Sequence, residues 1–434
     1  MRYLPAAALL SALTATTPAA AQEAPDPARL KATVEKLVGF GTRHTLSTST
    51  PDKPGRGIDA ARGWAGAELT RIADACNGCI TVANIARTFV GPRAPDGVNV
   101  VDVLGFQQGE EPTRVVIVAA HIDSRVSNEM NATSDAPGAN DNGSGTALVL
   151  EAARILSKQK FKATIVYALL SGEEQGLWGG QLLAETAQQK KWTVSAMLNN
   201  DIVGNSLGQG GVRVADRVRV FSEGVRASED LAAQIARRAS GGEDDGPSRA
   251  LAKAVDGIAA TLPAGLDVFV ARRPDRFGRG GDHEPFLKLG FPAIRFTSAV
   301  ENWDAQHQDL RTENGVRYGD TPDRMDFAYL AKVTAINVAT IRRLAAAPAA
   351  PTTVTLSGAL SRDTSVKWEA VPGAAGYRVR WRRSDAQNWS KAVDVTTPGT
   401  VLKDVPVDDN FIGVSALSAK GDESLVTFGE REKR

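Results

Sequence analysis

Cysteine and histidine are both scarce in this chain. Its 434 residues include only 2 Cys and 4 His. So few thiols exclude a cysteine-rich scaffold and any zinc site built on several thiolates. Imidazole chemistry must draw on His44, His121, His283 and His307. An excess of one charge is missing too: 51 Lys plus Arg stand against 50 Asp plus Glu, a net +1. Without a basic block, no nucleic-acid partner is expected. No apolar run reaches the roughly 20 residues needed to cross a bilayer, so no membrane span is expected. The balance of 42% apolar and 23% charged residues excludes wholesale disorder, and the length implies two or three folded units.

The N-terminus has Arg2, an apolar run over 4–13, and the small residues Ala19, Ala20 and Ala21. That is the pattern of an export signal cleaved after Ala21, so residues 1–21 are expected to be removed and the chain to be periplasmic or secreted. In an oxidising compartment Cys76 and Cys79 are expected to form a disulfide, with Asn77-Gly78 supplying the turn between them.

Strand and helix patterns alternate from 114 to 345. Strands are expected at 115–120, 164–170, 196–200 and 293–297, and helices at 143–158, 177–190 and 326–344. This alternation predicts an α/β fold: a mixed, mostly parallel central sheet flanked by helices. It fills a domain of residues 22–345. The segment 207–279 is longer than a simple connection and is expected to shape a substrate pocket. An Ala/Pro linker follows at 346–353. Residues 354–434 show short alternating segments separated by turns, the pattern of a small β-sandwich.

The chemistry-bearing residues fall just past the strand ends. His121 and Asp123 follow the first strand, Glu173 and Glu174 the second, and Asp201 the third. Asp141 lies in a Gly/Asn loop, 138–145, that opens a helix. Parallel strands present their C-terminal ends at one sheet edge, where open α/β sheets bind ligands, so these side chains can converge. Clustered carboxylates repel one another unless a cation sits among them. Imidazole and carboxylate donors suit zinc. Three carboxylate ligands and one hydroxide balance the charge of two Zn²⁺. Taken singly, each residue has a plainer use: acids favour helix starts, and Asp in such loops commonly caps a helix. Their joint order and placement argue for a metal centre. The loop at 138–145 lacks the Lys that a phosphate-binding loop requires.

The runs A-H-I-D-S, A-P-G-A-N-D-N-G-S-G, S-G-E-E-Q-G-L-W-G-G and N-N-D-I-V-G occur in this order, followed by G-D-H-E-P-F and F-P-A-I-R-F. Together they resemble the M28 family of zinc aminopeptidases over residues 29–345. The resemblance implies two Zn²⁺ per chain. His121 and Asp201 would ligate one, Glu174 the other, and Asp141 would bridge them, with His307 as the last ligand. It further implies that Glu173 is the general base for a zinc-bridging hydroxide, that Asp123 orients His121, and that the Asp141–Asn142 bond is cis. The implied activity is removal of the N-terminal residue from peptide substrates. Carboxypeptidase or dipeptidase activity is the alternative within the family, with glutaminyl cyclase and a non-catalytic binding module as rivals. Many family members carry a Tyr before the last His that can steady the oxyanion. Gln306 stands there in this chain, which leaves Tyr318 only as a loose candidate. His283 is expected to be structural or to sit behind a ligand, and His44 to lie in a surface loop, with a place on the substrate rim as its alternative. Residues 354–434 resemble a fibronectin type III module, with Trp368 and Tyr377 at its strand B and strand C positions. Such a module would attach the enzyme, expected to be a monomer, to a surface or polymer.

Overall fold

The computed structural model describes residues 23–48, 52–263 and 265–432. The expected export signal lies outside the described residues. The first helix, α1 (Pro27–Val38), starts where Pro27 fixes φ and the Asp26 carboxylate accepts from the Ala28 N–H. Its Leu30, Val34 and Leu37 recur on one face, and all three are buried. Helix α2 (Ile58–Ala75) ends at Cys76. Asn77 and Gly78 then take positive φ and turn the chain back, and Cys76 and Cys79 form the disulfide.

Eight strands build the main sheet: β1 (Thr81–Gly91), β2 (Ala94–Gln107), β3 (Glu111–His121), β4 (Ala163–Leu170), β5 (Thr193–Asn200), β6 (Arg217–Phe221), β7 (Asp267–Ala271) and β8 (Ala293–Ser298). Their order is β1-β2-β4-β3-β5-β8-β6-β7. The central four, β4, β3, β5 and β8, are parallel. Antiparallel pairings join them to the flanks, β2 on one side and β6 on the other. Every residue of β4 is buried, as the unbroken run A-T-I-V-Y-A-L-L requires of a strand covered on both faces.

Helices α3 (Gly143–Leu156), α4 (Glu173–Gly176), α5 (Trp178–Gln189), α6 (Leu231–Ala239), α7 (Pro247–Ala259), α8 (Glu284–Lys288) and α9 (Phe327–Ala346) complete the domain. The larger core joins α1, α2, α3, α7 and α9 to one face of the sheet, with Leu148, Tyr329 and Ile336 buried in it. The other face packs Leu183 of α5 and Phe286 of α8 against Ile117 and Val166. Truncating Leu148 to Ala would cost about 2–5 kcal/mol through lost transfer energy and the cavity left behind.

The helix expected over 177–190 is α5, and left-handed Leu177 (φ 61°) separates it from the short α4. One element differs from expectation. The β1–β2 hairpin was not expected: β1 is largely solvent-exposed, and polar Asn99 and Asp102 interrupt the apolar residues of β2. A short hairpin, β9 (Arg311–Glu313) and β10 (Val316–Tyr318), fills the stretch after His307.

The C-terminal strands are β11 (Val354–Ser357), β12 (Thr364–Trp368), β13 (Gly376–Arg383), β14 (Lys391–Val395), β15 (Gly399–Leu402), β16 (Asn410–Leu417), β17 (Thr427–Phe428) and β18 (Glu430–Arg431). They form two sheets, β15-β12-β11-β18 and β14-β13-β16-β17. Their common core includes Val366, Val379, Ile412 and Val414. Trp368 meets Tyr377 edge to face at 5.1 Å, and the Tyr377 hydroxyl accepts from the Val371 N–H. This unit is docked on the first. A buried ion pair joins Arg382 to Asp245, Arg343 pairs with Glu423 at 3.1 Å, and Leu425 enters the larger core. In the connecting stretch Ala347 and Pro351 are buried, and the Ala347 carbonyl accepts from Arg114. No helix among the described residues is long and apolar enough to cross a membrane.

Candidate active site

The site lies at the C-terminal edge of the parallel strands. His121 is the last residue of β3, Asp201 follows β5 directly, and Glu173 and Glu174 open α4 just after β4. Asp141 sits in the loop before α3. Asn142 caps that helix by accepting from the Gly145 N–H at 2.9 Å. Gly145 is required there: a Cβ would fall 2.2 Å from the Asn200 carbonyl oxygen. The loop can therefore press onto the end of β5 and bring Asp141 toward Asp201. The Asp141–Asn142 peptide bond is cis.

Five of the expected residues form two groups that share Asp141: His121, Asp141 and Asp201, and then Asp141, Glu174 and His307. In the first, His121 Nε2 lies 3.3 Å from Asp141 Oδ1 and 3.7 Å from Asp201 Oδ1. In the second, His307 Nε2 lies 2.9 Å from Asp141 Oδ2 and 3.1 Å from Glu174 Oε1. Among the described residues, His121 Nε2, Asp201 Oδ1 and Glu174 Oε1 are buried without a hydrogen-bond partner. Buried orphan donors and acceptors are costly. A cation in each group would satisfy all three, and the nitrogen and oxygen donor set suits zinc. The residues present fit the metal.

The neighbours of each group set its charge. Burial alone would lower the His307 imidazole, but the Glu174 and Asp141 carboxylates hold it up at about 10. His121 is likewise raised against its burial, by Glu173 and the nearby carboxylates of Asp123, Asp141 and Asp201. Burial would raise Asp141, yet the two imidazoles keep it well below the usual carboxylate range. Glu173 belongs to neither group, although it lines the same cavity. Burial, with Glu174 and Asp201 adding to it, pushes its carboxyl well above the ordinary range. A carboxylate with raised proton affinity beside a reaction centre is suited to general-base work.

Asp123 is adjacent, as expected, but its main contact differs. His121 Nδ1 donates to the Asp123 backbone carbonyl at 3.1 Å, while the carboxylate lies 3.5 Å away. The Asp123 carboxylate instead accepts from Thr45 Oγ1 and the Glu174 N–H, tying the two ligand-bearing segments together. Either way an acceptor holds the proton on Nδ1, so Nε2 is the nitrogen that would turn to a metal once the metal displaces its proton.

His44 is not in a surface loop. It is fully buried, because Nε2 meets the Glu129 carbonyl at 2.9 Å and Nδ1 accepts from the Leu46 N–H. His283 lies outside both groups, with Nε2 donating to the Pro274 carbonyl. Tyr318 does not line the cavity. Gln306 does, and it donates to Asp141 Oδ2 at 3.1 Å. Only the final part of 207–279 reaches the cavity, through Arg276, Gly278 and Arg279. The rest of that segment supplies β6, β7 and two helices.

Several supporting residues escaped the sequence reading. Arg295 is buried on β8, with Nη2 2.8 Å from Asp201 Oδ2 and Nη1 3.0 Å from Asp275. A charge inside the apolar run F-P-A-I-R-F was a signal that could have found it. Asp320 accepts from the N–H groups of Asn140 and Asp141, and Arg43 donates to the carbonyls of Ile122, Pro137 and Gly138. Burial pushes Asp320 up to about 6 despite those hydrogen bonds. Arg125 bridges Glu174 Oε2, at 2.9 Å, and His307 Nδ1, at 2.6 Å. The cavity over the site holds about 540 Å³, and no residue beyond His307 lines it.

The comparisons agree with this geometry. The profile of peptidase family M28 matches residues 99–340. A probable zinc metalloprotease of Leptosphaeria maculans is 42% identical over 406 residues, covering 92% of this chain and 93% of the relative. One from Pyrenophora tritici-repentis is 42% identical over 408 residues, covering 92% and 84%. Among solved structures, the LapA aminopeptidase of Legionella pneumophila superposes with a TM-score of 0.50 at 18% identity, over 74% of this chain and 72% of that one. A glutaminyl cyclase of Porphyromonas gingivalis gives 0.51 at 19%, over 73% and 98%. The two solved structures share the fold. On the matched profile and the extent of these relatives, the chain belongs to the zinc metallopeptidases of family M28.

Proposed function

We propose that this chain is an exported aminopeptidase with two zinc ions, acting on the N-terminal bond of peptides. The carrying observation is the pair of ligand groups that share Asp141, with Glu173 beside them and in neither. His121, Asp141 and Asp201 would hold one ion, and Asp141, Glu174 and His307 the other. Bound zinc would supply Lewis acidity, polarising the peptide carbonyl and lowering the pKa of water toward about 7. Glu173 takes a proton from the attacking water and returns it to the leaving amine. His121 keeps its Nδ1 proton on the Asp123 carbonyl, which holds the ring in place. Arg295 occupies one oxygen of Asp201 and so leaves the other for the metal. The Cys76–Cys79 disulfide supports an oxidising compartment and hence export.

Residues 354–434 add nothing to the cavity, which supports a role in attachment. Their strand order supports a fibronectin type III-like module.

The test is a panel of aminoacyl-p-nitroanilides, N-acetylated peptides and N-terminal Gln peptides, assayed with and without chelator. Cleavage of free but not N-acetylated substrates, lost on chelation and restored by Zn²⁺, is expected. Equal cleavage of blocked peptides would sink the aminopeptidase reading, and cyclisation of N-terminal Gln would replace it.

A further inference from the structure

Four arginines line the cavity: Arg93, Arg125, Arg276 and Arg279. Three have both Nη atoms engaged. Arg93 uses Nη1 on the Glu174 carbonyl and Nη2 on Glu129. Arg125 uses Nε on Glu174, Nη1 on the Val126 carbonyl and Nη2 on His307. Arg276 uses Nε on Asp275, Nη1 on Glu301 and Nη2 on the Gly280 carbonyl. Arg279 differs. Among the described residues its hydrogen bonds come from Nη1 alone, to Glu301 at 2.9 Å and Gln306 at 3.4 Å. Its Nε and Nη2 are uncommitted.

That leftover edge has a defined chemical match. Nε and Nη2 of a guanidinium lie side by side and pair with the two oxygens of a carboxylate. This chain uses the same edge elsewhere: Arg378 grips Asp394 through Nε and Nη2 at 2.7 and 2.8 Å. The charge at Arg279 is also incompletely met. Glu301 is shared with Arg219 at 2.7 Å and Arg276 at 3.3 Å, so three guanidiniums lean on one carboxylate. Glu284, another cavity acid, has no ion pair to Arg279, and burial raises its carboxyl. With 35% of its side chain exposed, Arg279 can receive a ligand without unpacking the core.

We propose that the cleft selects peptides carrying a carboxylate near the scissile bond, and that Arg279 is the specificity-determining residue that grips it. The inference rests on the peptidase reading above and names its substrate class. The carboxylate can come from an N-terminal Asp or Glu side chain or from the free C-terminus of a short peptide.

Two substrate pairs separate these sources: Glu-p-nitroanilide against Gln-p-nitroanilide, and Ala-Ala against Ala-Ala-amide. A charge-assisted bidentate contact worth about 1.4 kcal/mol or more predicts at least about a tenfold higher kcat/KM for the acidic member of one pair. Arg279→Gln should bring that ratio close to one, and Arg279→Lys should restore part of it. Calorimetry of glutamate 1-amide against glutamine 1-amide on the zinc-loaded protein gives a readout independent of turnover for the side-chain source, with tighter binding of the glutamate amide expected there. The idea is overturned if neither pair nor calorimetry shows a preference, or if the preference survives Arg279→Gln. If N-acetylated Glu peptides are cleaved as fast as free ones while the Arg279-dependent preference persists, the aminopeptidase reading fails and the carboxylate reading stands.

Discussion

Replacing Asp320 by Asn tests whether the loop bearing Asp141 is held from behind. Asp320 lies far from Asp141 in sequence and is buried beneath it. Its Oδ2 accepts from the Asp141 N–H at 2.7 Å and the Asn140 N–H at 2.9 Å, and its backbone carbonyl accepts from Ala139. The Asn140 N–H also reaches Oδ1, at 3.0 Å, so Asp320→Asn, which keeps the shape but turns one oxygen into a donor, sets an N–H against that backbone N–H in either amide orientation. Losing one hydrogen bond to a charged group costs about 1.5–3 kcal/mol. If that cost falls on the placement of Asp141, zinc affinity should drop about 10- to 100-fold, the usual effect of losing support behind a ligand. Competition against a chromophoric chelator measures the affinity, and circular dichroism checks the fold. A folded Asp320→Asn protein that binds zinc as tightly as wild type would refute the positioning argument.

Other outcomes follow from the same geometry. Glu173→Gln should retain its zinc while kcat falls by about 10² or more, and loss of zinc with activity would instead make Glu173 a ligand. Burial opposes the shift at Glu423, yet Arg380, Ser415 and Arg343 draw it from its ordinary 4.5 down to about 2. Its contribution to stability is therefore present above 4.5 and lost as pH falls from there toward 2. Because Glu423 joins β13 to α9 through Arg380 and Arg343, Glu423→Gln should flatten the acid-induced loss of stability in that window. Identical acid profiles for variant and wild type would contradict this. His307→Ala should lower zinc content and His283→Ala should not, and the reverse would mean that the wrong imidazole was chosen.

The sequence made the parallel core legible because its strands are unbroken apolar runs, as at 163–170, and such runs have few other uses. The expected ligands His121, Glu174 and Asp201 were legible because each comes at or just past the end of such a strand, and Asp141 because it lies in the Gly/Asn loop that opens α3. His307 lacks that marker: it sits in a loop at positive φ, after β8 and before the β9–β10 hairpin. Only the resemblance pointed to it. Arg43, Arg125 and Asp320 were not legible, since their roles depend on tertiary contacts across 49 to 182 residues of chain. His44 was misplaced for the same reason, because its burial is set by the carbonyl of Glu129. Strand β1 shows the limit of periodicity, since a largely exposed edge strand carries little hydrophobic pattern.

The zinc content of the purified, active enzyme tests the central claim most directly. Elemental analysis set against protein concentration should give two zinc ions per chain. His121→Ala and His307→Ala should each reduce that number, one from each ligand group. A fully active protein with a single zinc, or with none, would contradict the shared-Asp141 account.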